Sequence, residues 1–421
     1  MHKIVTLKNG LTLITVDMPH LDSVTTLVAA GAGSRYETKK ISGISHFLEH
    51  MFFKGSLKFP TTEIIATLVD GIGAVNNAAT DKEVTYFWIK SSAKHINLSS
   101  DILSSMIKES LFVKEEIERE KGVIVEELRM YRDNPTRYVW ELYERLQYGD
   151  QPLGWDIGGE ERTVTAITRE DIVSYVDSLY SPSNMALVYV GKLPKNIEEM
   201  ANEYFSELPQ RSEYNFKPYK RIKQLKPKVN VFYKVTDQAN LILGVEGFSR
   251  CDSRRYVAKV LAGILGKGMS SRLFIQVRER RGLAYHISAQ HSSYKDTGTF
   301  TIYAGLKLEK IYEGLEVILA ELKDLVSAKI TDEELQKAKE MIRGQIALRS
   351  ESTNFLAEYF GTIFALDRRV ETFEDALRKI DKVTKEDVQN LALELFAKNR
   401  YNLQIIGSFK SKDKFEAILN K

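Results

Sequence analysis

The chain is written twice. Thr168-Arg169-Glu170-Asp171-Ile172 returns as Thr384-Lys385-Glu386-Asp387-Val388, and the apolar run Ala186-Leu187-Val188-Tyr189-Val190-Gly191 returns as Asn402-Leu403-Gln404-Ile405-Ile406-Gly407. Both pairs are displaced by 216 positions (168 to 384, 191 to 407). Leu27-Val28-Ala29-Ala30-Gly31 is answered by Leu243-Gly244-Val245-Glu246-Gly247 nearly the same distance on, and Val113-Lys114-Glu115-Glu116-Ile117 by Ile330-Thr331-Asp332-Glu333-Glu334-Leu335. A displacement that holds along the whole length marks a duplicated domain, and it sets boundaries before any secondary structure is assigned. The division is residues 1–208, a Pro- and Lys-rich linker at 209–228, and residues 229–421.

Two domains suit a chain of 421 residues, and 43% apolar with 28% charged side chains is a composition that fills cores rather than staying disordered. Sixty basic residues against 57 acidic ones leave a net charge of +3, too even a balance to attract nucleic acid. No run approaches the roughly 18 to 20 apolar residues of a membrane helix, and Met1-His2-Lys3-Ile4-Val5 enters a strand pattern at once, so the expected compartment is cytoplasmic. The single cysteine, Cys251, can form neither an intrachain disulfide nor a thiolate cluster and is expected to be a partly buried small residue.

Within the first copy the pattern reads as a hairpin at 3–7 and 11–16 turning on Lys8-Asn9-Gly10, since Asn-Gly supplies the positive φ angles of a tight turn. A strand over 23–31 follows, then helices at 41–54 and from Thr61 to about Asp70, a strand at 83–90, and helices at 95–111 and 114–132. Asn134-Pro135 breaks the last before another at 136–148. Strands and helices mix without βαβ alternation. The expected fold is α+β, two homologous domains each with a mainly antiparallel sheet and helices packed on one side.

Chemistry concentrates in His46-Phe47-Leu48-Glu49-His50. On a helix, positions i, i+3 and i+4 share a face, so two imidazoles can occupy two positions of a tetrahedral zinc with a carboxylate beside them. Zinc acidifies a water to a pKa of about 7, and Glu49 is placed to take its proton. This order, H-x-x-E-H, is the inverted-zincin signature. A third ligand is required, and the acidic segment after residue 114 offers Glu115, Glu116, Glu118, Glu120, Glu126 and Glu127 without a physical reason to choose.

His46 through Gly55, together with Glu116-Ile117-Glu118-Arg119-Glu120-Lys121-Gly122-Val123-Ile124-Val125-Glu126-Glu127, resembles the pitrilysin or insulysin family of metallopeptidases, in particular the short-chain branch that includes the beta subunit of mitochondrial processing peptidase. The resemblance implies that Glu127, 77 positions beyond His50, is the third ligand, and that Glu120 orients a ligating histidine. It implies that Asn77 and Ala78 lie on a substrate-binding edge strand. In the second copy Arg278-Glu279-Arg280-Arg281-Gly282-Leu283-Ala284-Tyr285 resembles the segment whose arginine and tyrosine complete the catalytic site, here Arg278 and Tyr285. Gly266-Lys267 is no phosphate loop, because the glycine required five residues earlier is Leu261.

Carried through the duplication, His46, Glu49 and His50 fall on Leu261, Ile264 and Leu265, and Glu127 falls on Gly344. One zinc per chain is therefore expected. Longer members of the family enclose peptides between two such domain pairs. This chain has one pair, which implies a homodimer of two half-chambers. The expectation is a zinc metalloendopeptidase acting on peptides or unfolded segments, with Glu49 as general base. The alternatives are a non-catalytic scaffold subunit, which would have no need of an intact H-x-x-E-H, and a peptide-binding module with structural zinc, which would have no use for Glu49.

Overall fold

The computed structural model describes residues 2–210, 217–221, 223–327 and 330–420. Of the expected linker, residues 211–216 and 222 lie outside the described residues. Two compact units emerge, and they interleave along the chain. The first comprises Met1–Arg129, Trp155–Lys217 and Arg349–Glu371; the second comprises Met130–Gly154, Pro218–Leu348 and Thr372–Lys421.

The first unit is built on a six-stranded sheet of β1 (His2–Thr6), β2 (Thr12–Asp17), β3 (Ser23–Ala30), β4 (Val75–Thr80), β5 (Thr85–Ser92) and β6 (Met185–Gly191). Their order is β1-β2-β6-β3-β5-β4, antiparallel throughout except for β2 with β6. The opening hairpin turns where the sequence predicts: Gly10 takes φ 84, and Asn9 Oδ1 accepts from the Leu11 amide at 3.1 Å. Strand β5 alternates as a half-covered strand should, with Thr85, Phe87, Ile89 and Ser91 buried and the residues between them half-buried. Phe87 and Ile89 enter the main core with Phe47 and Phe52 of α1 (Ile44–Phe52), Ile65 and Val69 of α2 (Thr62–Gly71), and Ile102 and Met106 of α3 (Ile96–Glu109). Burying one such phenylalanine contributes about 2 kcal/mol. Thr61 caps α2 by accepting from the Ile64 amide at 3.3 Å.

Strands β3 and β6 are buried on both faces, which accounts for the apolar runs Leu27–Ala30 and Met185–Gly191, with Thr25 and Thr26 buried in the first half of β3. The second face is covered by one helix from the far end of the sequence, Thr353–Asp367, whose Gly361 leaves no room for a Cβ against Leu27, Ala29 and Val188. The second unit repeats the plan. Its sheet of β7 (Lys228–Tyr233), β8 (Gln238–Glu246), β9 (Ala284–Ser293), β10 (Gly298–Lys307) and β11 (Asn402–Gly407) runs β7-β11-β8-β10-β9, with only β7 and β11 parallel. The Arg254–Gly266 helix packs in its main core. Its other face receives a helix from the first copy. After α4 (Lys114–Asp133), Asn134 Oδ1 accepts from the amides of Thr136 and Arg137 and starts α5 (Pro135–Tyr148). Tyr143 of α5 lies over Gly244, with its hydroxyl 2.9 Å from Thr299 Oγ1 and 3.2 Å from Gln147 Oε1. Each sheet thus has the expected helical layer on one face and, on the other, a single helix supplied by the opposite copy. Periodicity in the sequence did not reveal this exchange.

Among the described residues no helix is long and apolar enough to cross a membrane. Cys251, expected to be partly buried, is exposed and free.

Candidate metal centre

The motif helix begins on a glycine. Gly43 stands at φ 97, and a Cβ there would come within 2.5 Å of the Gly158 carbonyl oxygen, so both its conformation and its surroundings require glycine. A glycine has no side chain with which to cap α1, and the buried Glu37 does so from outside the helix, its carboxylate accepting from the Gly43 amide at 2.8 Å and the Ser45 amide at 2.9 Å. Burial pushes that carboxyl up to about 7, against the pull of the two amides and of Lys82. Ser45 Oγ lies 2.7 Å from the Tyr175 hydroxyl, which itself donates to Gly33 O at 2.9 Å. The first turn of α1 is therefore fixed on two sides immediately before His46.

One helical turn separates His46 from His50, and their rings meet edge to face at 4.8 Å between centroids. Facing them, α4 brings Glu120 and Glu127, seven residues apart and on one face. Glu127 Oε2 lies 3.3 Å from His50 Nε2 and 3.7 Å from His46 Nε2. These three residues each offer a donor atom within 4.8 Å of the others, and they are the one such group of three or more among the described residues. Glu120, only 3% exposed, accepts at Oε1 from His50 Nδ1 at 2.8 Å, while Lys54 Nζ stands 2.6 Å from its Oε2. Of the six acidic candidates on this segment, the structure brings Glu127 to the Nε2 atoms and Glu120 to the Nδ1 atom behind them.

Charge follows this geometry. Burial works against the His50 imidazolium, but the hydrogen bonds and charges of Glu120 and Glu127 outweigh it and lift it to about 9. Burial, with the neighbouring charge of His50, pushes His46 below its ordinary value. Burial would also raise Glu120, yet His50 and Lys54 hold its carboxyl below the usual range. The lift on His50 reflects the negative potential that the two carboxylates place at the convergence point, the potential that draws a divalent cation. Two imidazole nitrogens and one carboxylate oxygen form the donor set of three-ligand zinc sites. His46 Nδ1 is buried with no hydrogen-bond partner among the described residues, close to Gly158, where a Cβ would stand 3.7 Å from it. The residues fit zinc.

Glu49 shares this face, and its Oε2 accepts from Thr80 Oγ1 at 2.6 Å. Thr80 ends β4, an edge strand on which Asn77 is exposed, Ala78 is half-buried, and the Ala78 amide donates to Asn77 Oδ1 at 2.9 Å. In the second unit Arg278 lies on a π-helical turn, Phe274–Glu279, with its guanidinium 4.7 Å from the Phe274 ring centroid and 5.5 Å from that of Tyr285, which is 76% exposed. The positions matching the motif in the second copy, Leu261, Ile264 and Leu265, are buried in an apolar core, and nothing lies within 4 Å of a Cβ at Gly344. Sequence reasoning missed Lys54, Glu37 and Thr80. Lys54 stands four residues after His50, and Thr80 two after Ala78 on the same face of β4, so spacing could have found both. Glu37 acts from a loop and left no periodic signal.

A duplicated α+β fold in which H-x-x-E-H histidines converge with a distant glutamate is the layout of an inverted zincin. Comparison with known proteins agrees. Residues 12–160 match the family described as Insulinase (Peptidase family M16), and residues 166–342 match the Peptidase M16 inactive domain. An uncharacterized zinc protease of Rickettsia felis is 36% identical over 397 residues, covering 93% of this chain and 94% of its own length. The uncharacterized zinc protease YmxG of Bacillus subtilis is 35% identical over 403 residues, covering 95% and 97%. The crystal structure of a protease from Helicobacter pylori shares the fold, with a TM-score of 0.89 at 24% identity over 97% of this chain and 99% of that one. The chain belongs to peptidase family M16, in its short two-domain form.

Proposed function

We propose that the chain is a zinc-dependent endopeptidase that hydrolyses peptides or unfolded segments, with His46, His50 and Glu127 as metal ligands and Glu49 as general base. The observation that carries this reading is the meeting of His46 Nε2, His50 Nε2 and Glu127 Oε2 beside a carboxylate that belongs to none of the three. A zinc ion held there would act as a Lewis acid toward water and toward a substrate carbonyl. Glu49 accepts the proton of the attacking water on its carboxylate and returns it to the amine that leaves. Glu120 holds His50 by Nδ1, which directs Nε2 at the metal position. The edge of β4 at Asn77 and Ala78 can pair with an extended peptide once the Ala78 amide exchanges its bond to Asn77 Oδ1 for one to the peptide, which favours substrates that are already unfolded.

The family resemblance supports a homodimer in which Arg278 and Tyr285 of one chain complete the site of the other. The free Cys251 fits a reducing compartment such as the cytoplasm. Glu49→Gln tests the central claim. It should retain zinc at the wild-type level while turnover of an unstructured peptide library falls by at least about 1,000-fold. Near-normal hydrolysis by that variant would refute the mechanism. In a mixed dimer of Glu49→Gln with Arg278→Ala/Tyr285→Phe chains, one site should be whole, giving up to about half of wild-type activity if the two sites are independent.

A further inference from the structure

We propose that Thr80 is a positioning residue for Glu49, joining the general base to the end of the peptide-binding edge strand; this rests on the peptidase reading above. The Thr80 hydroxyl donates to Glu49 Oε2 at 2.6 Å, and this is the one hydrogen bond the Glu49 side chain makes among the described residues. A glutamate on a helix has three side-chain torsions, and its terminal one is broad, so a carboxylate without a fixed donor sweeps through many orientations. A single charge-assisted bond at this distance fixes the carboxylate plane, occupies one oxygen, and leaves Oε1 to face the water.

The donor's own place is set by the sheet. Thr80 is the last residue of β4 and pairs with Thr85 of β5. Ala78, two residues earlier and therefore on the same face, packs against the core of the first unit. That alternation turns the Thr80 side chain toward α1, which packs against β4. The edge of β4, unpaired among the described residues, and the aim of Glu49 thus meet in one residue. A peptide that pairs with Asn77 and Ala78 steadies the strand from which Thr80 reaches the base.

Valine has the shape of threonine without its donor, and serine keeps the donor. Thr80→Val should lower kcat by about 10- to 100-fold, the range expected for losing one hydrogen bond to a charged group. KM and bound zinc should stay within about twofold of wild type, and Thr80→Ser should restore kcat to within about threefold. Crystal structures supply a readout independent of turnover, in which Glu49 should hold one conformer in the wild type and several in Thr80→Val. If Thr80→Val fails to fold, Thr80→Ala against Thr80→Ser reads the same difference. The proposal is overturned by a kcat within twofold of wild type, by a fall in kcat matched by zinc loss or a rise in KM, by failure of serine to rescue, or by an unmoved Glu49 carboxylate in the valine variant. An inactive wild type would instead refute the peptidase reading, and the crystallographic comparison would still decide the role of Thr80.

Discussion

Replacing Glu120 should weaken zinc binding without touching any atom that meets the metal. Its carboxylate is 3% exposed and accepts from His50 Nδ1 at 2.8 Å, so the bond is charge-assisted and shielded from water. Removing such a partner behind a ligating histidine costs about 10- to 100-fold in metal affinity, or about 1.4 to 2.8 kcal/mol. Glu120→Gln still offers an oxygen to Nδ1 and preserves the imidazole tautomer, so it should lie at the lower end, near 10-fold. Glu120→Ala removes the acceptor and leaves the Lys54 ammonium facing His50, which places it near the upper end, about 100-fold. Competition against a chromophoric zinc chelator at fixed pH and ionic strength measures both constants, and circular dichroism melting confirms that each variant is folded. Folded Glu120→Ala with a dissociation constant within twofold of wild type would falsify the orienting role.

Elemental analysis should find one tightly held zinc per chain, because Leu261, Ile264, Leu265 and Gly344 stand where the first copy has its four polar groups; two ions would contradict this. His291 Nε2 accepts from the Phe248 amide at 3.0 Å, and burial, with Arg255 adding to it and Asp252 opposing, pushes its pKa down to about 4. The folded value lies below the unfolded one of about 6.5, so the unfolded chain binds the extra proton and stability falls as pH drops from 6.5 toward 4, by up to about 3 kcal/mol. Denaturant midpoints measured across that window should show the slope, and His291→Gln should flatten it. Gly244→Ala would force a methyl into the Tyr143 hydroxyl and should destabilise the second unit by about 1 to 3 kcal/mol. Combined with Tyr143→Phe, which removes the first atom met, its effect on the denaturation midpoint should be less than additive; strict additivity would mean the two residues do not touch.

The motif helix was legible because its chemistry is local: His46, Glu49 and His50, at i, i+3 and i+4, define one face without any knowledge of the rest of the fold. The hairpin at Asn9-Gly10 and the break at Asn134-Pro135 were legible for the same reason. The choice of Glu127 over its five acidic neighbours was not, since rotation of α4 about its axis is set by Ile117, Ile124 and Leu128 packing in the core. The destination of α5 was equally hidden. Periodicity shows that a helix has an apolar face, and Val139 and Tyr143 give α5 one, but it does not say which of two similar sheets that face covers. Cys251 stayed on the surface because it falls in the turn between β8 and the Arg254–Gly266 helix, where no element turns an apolar face inward.

The exchanged helices also set a schedule for synthesis. The strands of the first sheet are complete once Gly191 has been made, yet Leu27, Ala29 and Val188 wait for Gly361 before they are covered. At ribosomal speeds of roughly 5 to 20 residues per second, that interval is on the order of 10 to 35 s, with an apolar sheet face open to water throughout. A nascent chain stopped anywhere before residue 367 is a half-covered sheet rather than a finished first domain. The first copy, which carries the H-x-x-E-H motif, depends on the second to complete its fold, and this gives the copy without the motif a reason to persist whatever its part in catalysis.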